Sequence, residues 1–502
     1  MRYLSLRLSR CLAAAAVCLV ARAAVAGAPP GGAQASSQAS PDAGSAPAGL
    51  SAGALELADV LASVELHFPL LERALQERRE AEGRLVEAQG GFDLKLGSKA
   101  GAEQFGYYVN RTLDNYIEQP TRLFGATLYS GYRFGAGNFG PWKGDQLTLD
   151  SGEWRAGFSV PLWRDRTIDR RRADTDVARY GLDVADNSIE KLRLSVYKEA
   201  AKSYWNWLAT GRELALSQEL LKLAVERDQQ IAAAVELGDL AAIERIDNQR
   251  AILERRSGLL LAGQFLEQAA IDLSLYWRSP DGSPHQPPDA LLPGLFPEPE
   301  NLTDETVARG LAAALERRPE IRALLAKRSQ VQVEMELASN QLGPNLDLAA
   351  EYSRDFGSGS VTKIGNEVKA SVIFELPFQR RQAQGKLTQQ TAKLRQIEAD
   401  LQFAREQVAA EVRVAAVGVR TAHEQVNLVR QEVDVARQLQ LAEAERFQLG
   451  DSTLFLVNLR ELAAAGARLR EIKSLAGYHQ ALADYRAATT AILTVAPVRR
   501  NR

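Results

Sequence analysis

Few residues in this sequence have the types and spacing that catalysis or metal binding requires. The four histidines are scattered without ligand spacing, at His67, His285, His423 and His479. No phosphate loop, nucleophile elbow or zinc motif accompanies them. The 63 acidic residues are balanced by 61 basic ones, and carboxylates on long helices usually form a solvated face. We therefore predict no enzymatic activity, no cofactor and no metal site. The formal net charge of -2 gives no sign of nucleic-acid binding.

The two cysteines lie in an N-terminal export signal. Three arginines precede an apolar stretch over 11–21, and Ala24-Val25-Ala26 fits a small-residue cleavage site. We predict a secretory signal peptide over 1–26 and a flexible leader, rich in Ala, Gly, Pro and Ser, over 27–53. Val17 before Cys18 disfavours acylation, so the mature chain would have no thiol chemistry. No later window is apolar enough for a membrane helix, so any crossing must use strands.

The rest of the chain reads as two copies of one unit. A helical stretch broken by a proline opens each copy, at Pro69 and at Pro319, and strand-like segments follow. Each copy then has a strand-ending Val-Pro-Leu or Leu-Pro-Phe, and later a Leu-Gly-Asp turn. We predict a first repeat over 54–278, a linker with seven prolines over 279–303, a second repeat over 304–492 and a tail over 493–502.

Very long helices are predicted in both repeats. Proline is the residue that most often ends a helix, and none occurs over 162–279 or over 378–496. Apolar residues in the second stretch recur at spacings of three and four, which is typical of coiled-coil packing, and Glu411 interrupts the series beside Val412. The recurring positions are Leu394, Ile397, Leu401, Ala404, Val408, Ala415, Val419, Ala422, Val426, Val429, Val433 and Ala436. A continuous helix over 163–237 would be about 110 Å long.

Alternating apolar and polar residues predict strands between the helices. The first repeat has three candidates, at 92–100, 122–134 and 153–162, and the second has two, at 346–352 and 368–378. Such alternation suits a soluble half-buried sheet and also a transmembrane barrel. If both helical flanks lie in the periplasm, the number of crossings is even, so we expect one first-repeat candidate to be rim or loop. Four crossings per chain cannot close a barrel alone, because the smallest barrels have about eight strands.

With these landmarks the chain resembles the TolC-like outer-membrane efflux proteins from about Leu55 to Ala488. The most specific matching pieces are Val160-Pro161-Leu162, Leu376-Pro377-Phe378 and the turns at Gly238 and Gly450. The resemblance implies an α+β membrane protein, a homotrimer with a 12-stranded β-barrel of four strands per chain. A long periplasmic α-helical coiled-coil barrel would continue it. The implied location is the bacterial outer membrane, in contact with its lipid and extending into the periplasm.

The resemblance also assigns roles to the two turns, as periplasmic tips that dock an adaptor protein and constrict the channel. The implied docking and tip residues are Leu237, Gly238, Asp239, Ile243, Glu244, Leu449, Gly450, Asp451 and Leu454. The implied entrance constriction is Phe447, Leu456 and Leu459. In relatives, the position six residues after the glycine is often acidic. The first tip has Glu244 at this position, whereas the second tip has Leu456. Phe447 stands where a tyrosine can occur and has no hydroxyl to donate.

The function implied by the resemblance is that of a passive duct in a tripartite efflux system. An inner-membrane pump and a periplasmic adaptor (membrane fusion) protein would be its partners, and small molecules its cargo. Two alternatives stay open. One is the outer-membrane duct of a type I protein-secretion system, and the other is a periplasmic coiled-coil scaffold or adaptor with a soluble sheet.

Overall fold

The computed structural model describes residues 53–238 and 240–494. The predicted signal peptide, nearly all of the leader, Asp239 and most of the tail lie outside the described residues. The helices are α1 (Leu57–His67), α2 (Pro69–Gln89), α3 (Arg170–Glu236), α4 (Ala242–Ser274), α5 (Asp304–Arg317), α6 (Pro319–Asn340), α7 (Arg381–Gln448) and α8 (Leu454–Ala488). The strands are β1 (Lys95–Glu103), β2 (Asn110–Pro120), β3 (Thr127–Gly137), β4 (Gly152–Pro161), β5 (Asn345–Phe356) and β6 (Asn366–Glu375).

Both predicted helix breaks are present, for the same local reason. Pro69 and Pro319 each occupy the first position of a helix, and the residue before each is extended rather than helical. Phe68 has φ -79° and ψ 120°, and Arg318 has φ -58° and ψ 127°. The proline ring disfavours the helical region for its predecessor, so the chain turns at this point and a new helix begins.

Two helices of very unusual length dominate the structure. Helix α3 has 67 residues and α7 has 68, so each is about 100 Å long. The carboxylate of Asp169 caps α3 by accepting a hydrogen bond from the backbone N–H of Arg172 at 2.8 Å. The predicted coiled-coil stripe is confirmed along α7, where Val412 replaces Glu411 on the buried side. The buried apolar residues include Ile397, Leu401, Val408, Val412, Val419, Val426 and Val429.

An aromatic stack joins the two long hairpins. The ring of Trp205 on α3 stacks on His479 of α8 with centroids 4.3 Å apart, and Phe296 stacks on both. Nε2 of His479 lies 3.0 Å from the carbonyl oxygen of Pro297. Burial lowers the pKa of this imidazole from 6.5 to about 4. The stack therefore places a neutral histidine inside the contact between the hairpins.

The strands form one antiparallel sheet in the order β1-β2-β3-β4-β5-β6. Strand β4 pairs with β5, so the sheet joins residues 95–161 to residues 345–375 along a single pair of strands. Within the described residues the sheet has six strands, two more than the four per chain that the resemblance implies. All three first-repeat candidates are strands, so none of them is loop. Strand β2, which lies between two of them, has no counterpart among the predicted segments.

None of the helices within the described ranges is both long enough and apolar enough to cross a bilayer. In the same part of the chain, no group of three or more His, Cys, Asp or Glu side chains could hold a metal ion.

Candidate functional site

The first helical tip is a short turn between α3 and α4 with an apolar surface. Helix α3 ends at Glu236, and Gly238 follows with φ +82°. The N–H of Gly238 donates to the carbonyl oxygen of Val235 at 3.1 Å. Leu237 and Ile243 are 78% and 65% exposed. This tip therefore presents two large apolar side chains to the solvent, while Glu244 is half-buried.

The second tip has its glycine in the same conformation, and hydrogen bonds and an ion pair hold the turn. Gly450 has φ +80°, its N–H donates to Phe447 O at 3.0 Å, and the N–H of Asp451 donates to Arg446 O at 2.9 Å. This pair of bonds is the Schellman pattern that satisfies the last carbonyls of a helix. The guanidinium of Arg446 also contacts the carboxylate of Asp451 at 3.2 Å. Thr453 then caps α8 through the N–H of Leu456.

Both turn glycines are required by backbone conformation and not by lack of space. A Cβ atom added at Gly238 or Gly450 would have no neighbouring atom within 4 Å. Their φ values of +82° and +80° are nevertheless in the left-handed region, where a residue with a Cβ atom is strained. The glycine of each Leu-Gly-Asp motif therefore has the same backbone conformation.

The other residues that the sequence analysis assigned to the tips differ widely in exposure. Leu449 is 77% exposed, whereas Leu454 is only 2% exposed and packs inside the hairpin. The three residues assigned to the entrance constriction lie on the flanks of the second tip. Leu459 is 46% exposed, while Phe447 and Leu456 are half-buried. The structure thus keeps these side chains on one tip without burying them in the chain's own core.

A buried charge cluster lies between the two hairpins close to these tips, and sequence reasoning missed it. The carboxylate of Glu461 on α8 accepts hydrogen bonds from the guanidinium groups of Arg227 on α3 and Arg255 on α4, the latter at 3.1 Å. Arg227 also donates to Oδ1 of Asn458 at 2.7 Å. The side chain of Glu461 is 7% exposed. One carboxylate of the second hairpin therefore binds two arginines of the first.

A signal for this cluster was available in the sequence. Buried positions along α8 recur as Leu454, Val457, Glu461 and Ala464, at spacings of three, four and three. Glu461 thus occupies a coiled-coil core position that is normally apolar. A charge at such a position is costly unless a partner with opposite charge is supplied from another helix.

The sheet has two chemically different faces. Phe158 and Val160 of β4 lie on one face and are paired with Ala350 and Leu348 of β5. On the other face, the guanidinium of Arg155 lies 2.6 Å from Asp114 of β2 and 3.2 Å from Glu351 of β5. A second pair, Arg133–Glu153, has a separation of 2.6 Å. One face therefore suits lipid and the other suits water.

Part of this combination of elements matches a known protein family. Residues 310–491 match the family described as outer membrane efflux protein. This part of the chain is therefore similar to the outer membrane efflux protein family. The matched segment includes most of α5, all of α6, β5, β6, α7 and α8, and hence the second tip. No curated protein matches the sequence.

Solved structures of outer membrane proteins share the fold of this chain. The Campylobacter jejuni CmeC outer membrane channel is 14% identical, covers 86% of this chain and 85% of its own, and has a TM-score of 0.58. The Vibrio cholerae outer membrane protein VceC is 15% identical over 86% of this chain and 95% of its own, with a TM-score of 0.57. The Neisseria gonorrhoeae MtrE outer membrane channel, in its open state, is 16% identical over 86% and 88%, with a TM-score of 0.59.

Proposed function

We propose that this protein is the outer-membrane subunit of a tripartite efflux system and acts as a passive duct. Three copies would assemble their sheets into one wall in the outer membrane and their helical hairpins into a tunnel through the periplasm. An inner-membrane pump would supply the energy, and a periplasmic adaptor would join the pump to the duct. The cargo would be small molecules.

The two-faced sheet is the observation that carries this proposal. Apolar side chains such as Phe158 and Val372 share one face, while the network of Arg155, Asp114 and Glu351 lies on the other. The strands have 9 to 12 residues, close to the roughly 9 to 11 residues of a transmembrane strand. Lipid outside and water inside is the arrangement that a membrane barrel requires.

The hairpin tips would bind the adaptor and narrow the channel. Leu237 and Leu449 are exposed apolar side chains at the ends of helices about 100 Å long, and Ile243 is exposed at the start of α4. A bound partner would cover these side chains. Phe447, Leu456 and Leu459 would line the narrow entrance. Opening of that entrance would require the inner hairpins to separate, and the contacts of Glu461 with Arg227 and Arg255 oppose such a separation within one chain.

The first experiment is membrane fractionation of the mature protein, followed by native mass determination in detergent. We expect the protein in the outer membrane, with the mass of a trimer. A soluble periplasmic monomer or dimer would contradict the duct and support a coiled-coil scaffold instead.

Export is tested in a strain that lacks the gene, by measuring its susceptibility to a panel of antibiotics with and without the protein. The tip variant Leu237→Ser/Ile243→Ser should fail to restore resistance. Leu66→Ser is the matched control, because Leu66 is 75% exposed and lies on α1. Unchanged susceptibility combined with loss of a secreted protein would assign the duct to type I secretion.

A further inference from the structure

The first repeat contributes four strands to the sheet, and the second contributes two. Strands β1 to β4 precede α3, whereas only β5 and β6 separate α6 from α7. All neighbouring strands are antiparallel, so the direction of the chain reverses at every step from β1 to β6. The two repeats are therefore unequal in the part of the molecule that would cross the membrane.

The turn between β2 and β3 shows that the first repeat contains two full hairpins. This turn covers residues 121–126 and lies beside the start of α3. A Cβ atom at Gly125 would be 2.6 Å from the carbonyl oxygen of Asp165 and 3.2 Å from the carboxylate of Asp169, the cap of α3. Strand β2 thus returns all the way to the helical end before β3 leaves it again.

The apolar face continues across every strand of the sheet. Leu96 of β1 pairs with Ile117 of β2, Leu113 of β2 with Phe134 of β3, and Leu128 of β3 with Phe158 of β4. Phe158 then pairs with Ala350 of β5, which pairs with Ala370 of β6. The first two strands therefore carry the same lipid-compatible surface as the other four.

Charged contacts on the opposite face tie β2 to the middle of the sheet. Arg155 of β4 reaches across β3 to Asp114 of β2 at 2.6 Å, and it also contacts Glu351 of β5 at 3.2 Å. Gly131 of β3 lies between them, paired with both Arg155 and Tyr116. A Cβ atom at Gly131 would lie 2.8 Å from a backbone oxygen of β2. Strand β2 is consequently part of the wall and not a separate flap.

The two edges of the sheet are complementary to each other. Strand β1 follows α2 and runs away from the helices, while β6 runs back toward α7. An edge β1 placed beside the β6 of another copy would therefore be antiparallel, like every other pair in the sheet. Both edge strands are exposed along nearly their whole length, with Leu96 83% and Val368 74% exposed. Unpaired edges of this kind require a partner strand.

We propose that all six strands form the wall and that β1 of one copy pairs with β6 of the next. This inference rests on the trimeric duct proposed above. Three copies of a six-stranded sheet complete a wall of eighteen strands. Because barrel diameter grows roughly linearly with strand number, this wall is about one and a half times as wide as a twelve-stranded one.

Cysteine crosslinking between copies tests the pairing. The described residues contain no cysteine, so introduced thiols are unambiguous. Ser98→Cys on β1 is combined with one cysteine on β6, chosen in turn from Val368, Ala370, Val372 and Phe374. The matched series uses Ser130→Cys on β3, since Ser98 and Ser130 face β2 residues only two positions apart, Asn115 and Ile117. A crosslink in the β3 series would indicate a wall that is built from β3 to β6 alone.

The experiment is made on the outer-membrane fraction, with a membrane-permeant oxidant and a denaturing gel. We expect at least one member of the β1 series to shift most of the protein to two and three times the monomer mass, while the β3 series stays monomeric. Absence of any crosslink in the β1 series overturns the six-stranded wall, whether or not the β3 series reacts. A protein that is not a membrane trimer refutes the proposed duct itself, so the two failures are distinguishable.

The width of the barrel, measured by electron microscopy of the trimer in detergent, is an independent second measurement. A wall about one and a half times as wide as that of a twelve-stranded channel supports the proposal. A width equal to that of a twelve-stranded channel overturns it.

Discussion

The two helical hairpins follow one plan, but their tips are held in different ways. Gly238 and Gly450 have nearly the same φ, +82° and +80°. The second tip adds the Arg446–Asp451 ion pair and the Thr453 cap, whereas no side chain caps α4 at Ala241. A shared backbone path therefore does not imply shared stability, because side chains outside the motif decide how firmly each turn is held.

The contact between the hairpins is the part of this comparison that a mutation can disturb most. Glu461→Ala removes the carboxylate that binds Arg227 and Arg255, and leaves two buried guanidinium groups without it. We expect the free energy of unfolding to fall by about 3 to 5 kcal/mol. Denaturant titration of the purified protein in detergent measures the change.

The control for this variant is the exposed ion pair between the same two hairpins. Arg468 contacts Glu219 at 2.8 Å, with both side chains near half exposure. Glu219→Ala should cost at most about 1 kcal/mol, because solvent screens the pair. Equal losses in the two variants would show that burial of Glu461 contributes nothing.

The free energy of unfolding should depend on pH through His479, which lies in the same contact between the hairpins. Its folded pKa of about 4 lies below the ordinary 6.5, so between these values the unfolded chain binds a proton that the folded chain does not. Stability is then complete above pH 6.5 and falls by about 3 kcal/mol as the pH decreases toward 4. Unfolding of the wild type and of His479→Gln across this range measures the difference in slope. Parallel curves for the two proteins would contradict the prediction.

The two turn glycines test whether the tips are equivalent in their backbones. Gly238→Ala and Gly450→Ala should each lower the free energy of unfolding by about 1 to 2 kcal/mol, since a Cβ atom disfavours a positive φ. Asparagine at either position should cost less, because its side chain tolerates this conformation. The same titration applies. A loss at one glycine alone would show that only that turn keeps its conformation in solution.

Changes at the helix caps should have the smallest effects on the free energy of unfolding. Thr453→Ala should cost about 1 kcal/mol, and Ala241→Ser should stabilise the first hairpin by a similar or smaller amount. Hydrogen exchange of the first turns of α4 and α8 localises both changes. If Ala241→Ser left exchange unchanged, the missing cap would not explain the difference between the tips.

Strand β2 shows where alternation fails as a predictor. Its apolar face carries Asn115 between Leu113 and Ile117, so no continuous apolar series marks it. In the folded sheet, the side-chain oxygen of Asn115 accepts a hydrogen bond from the hydroxyl of Ser98 on β1 at 2.7 Å. The polar residue is compatible with this face only because a neighbouring strand supplies its partner, and that neighbour is not encoded locally.

The features that depend on local chemistry follow from the amino-acid sequence alone. Proline positions set the helix breaks at Pro69 and Pro319, proline-free heptads set the long helices, and glycines at positive φ set both tips. The tertiary structure alone decided the six-stranded sheet, the burial of Leu454 and the charge cluster at Glu461. Each of these depends on groups that are distant in the chain, and a buried charge or an added strand is stable only when those groups meet it in the fold.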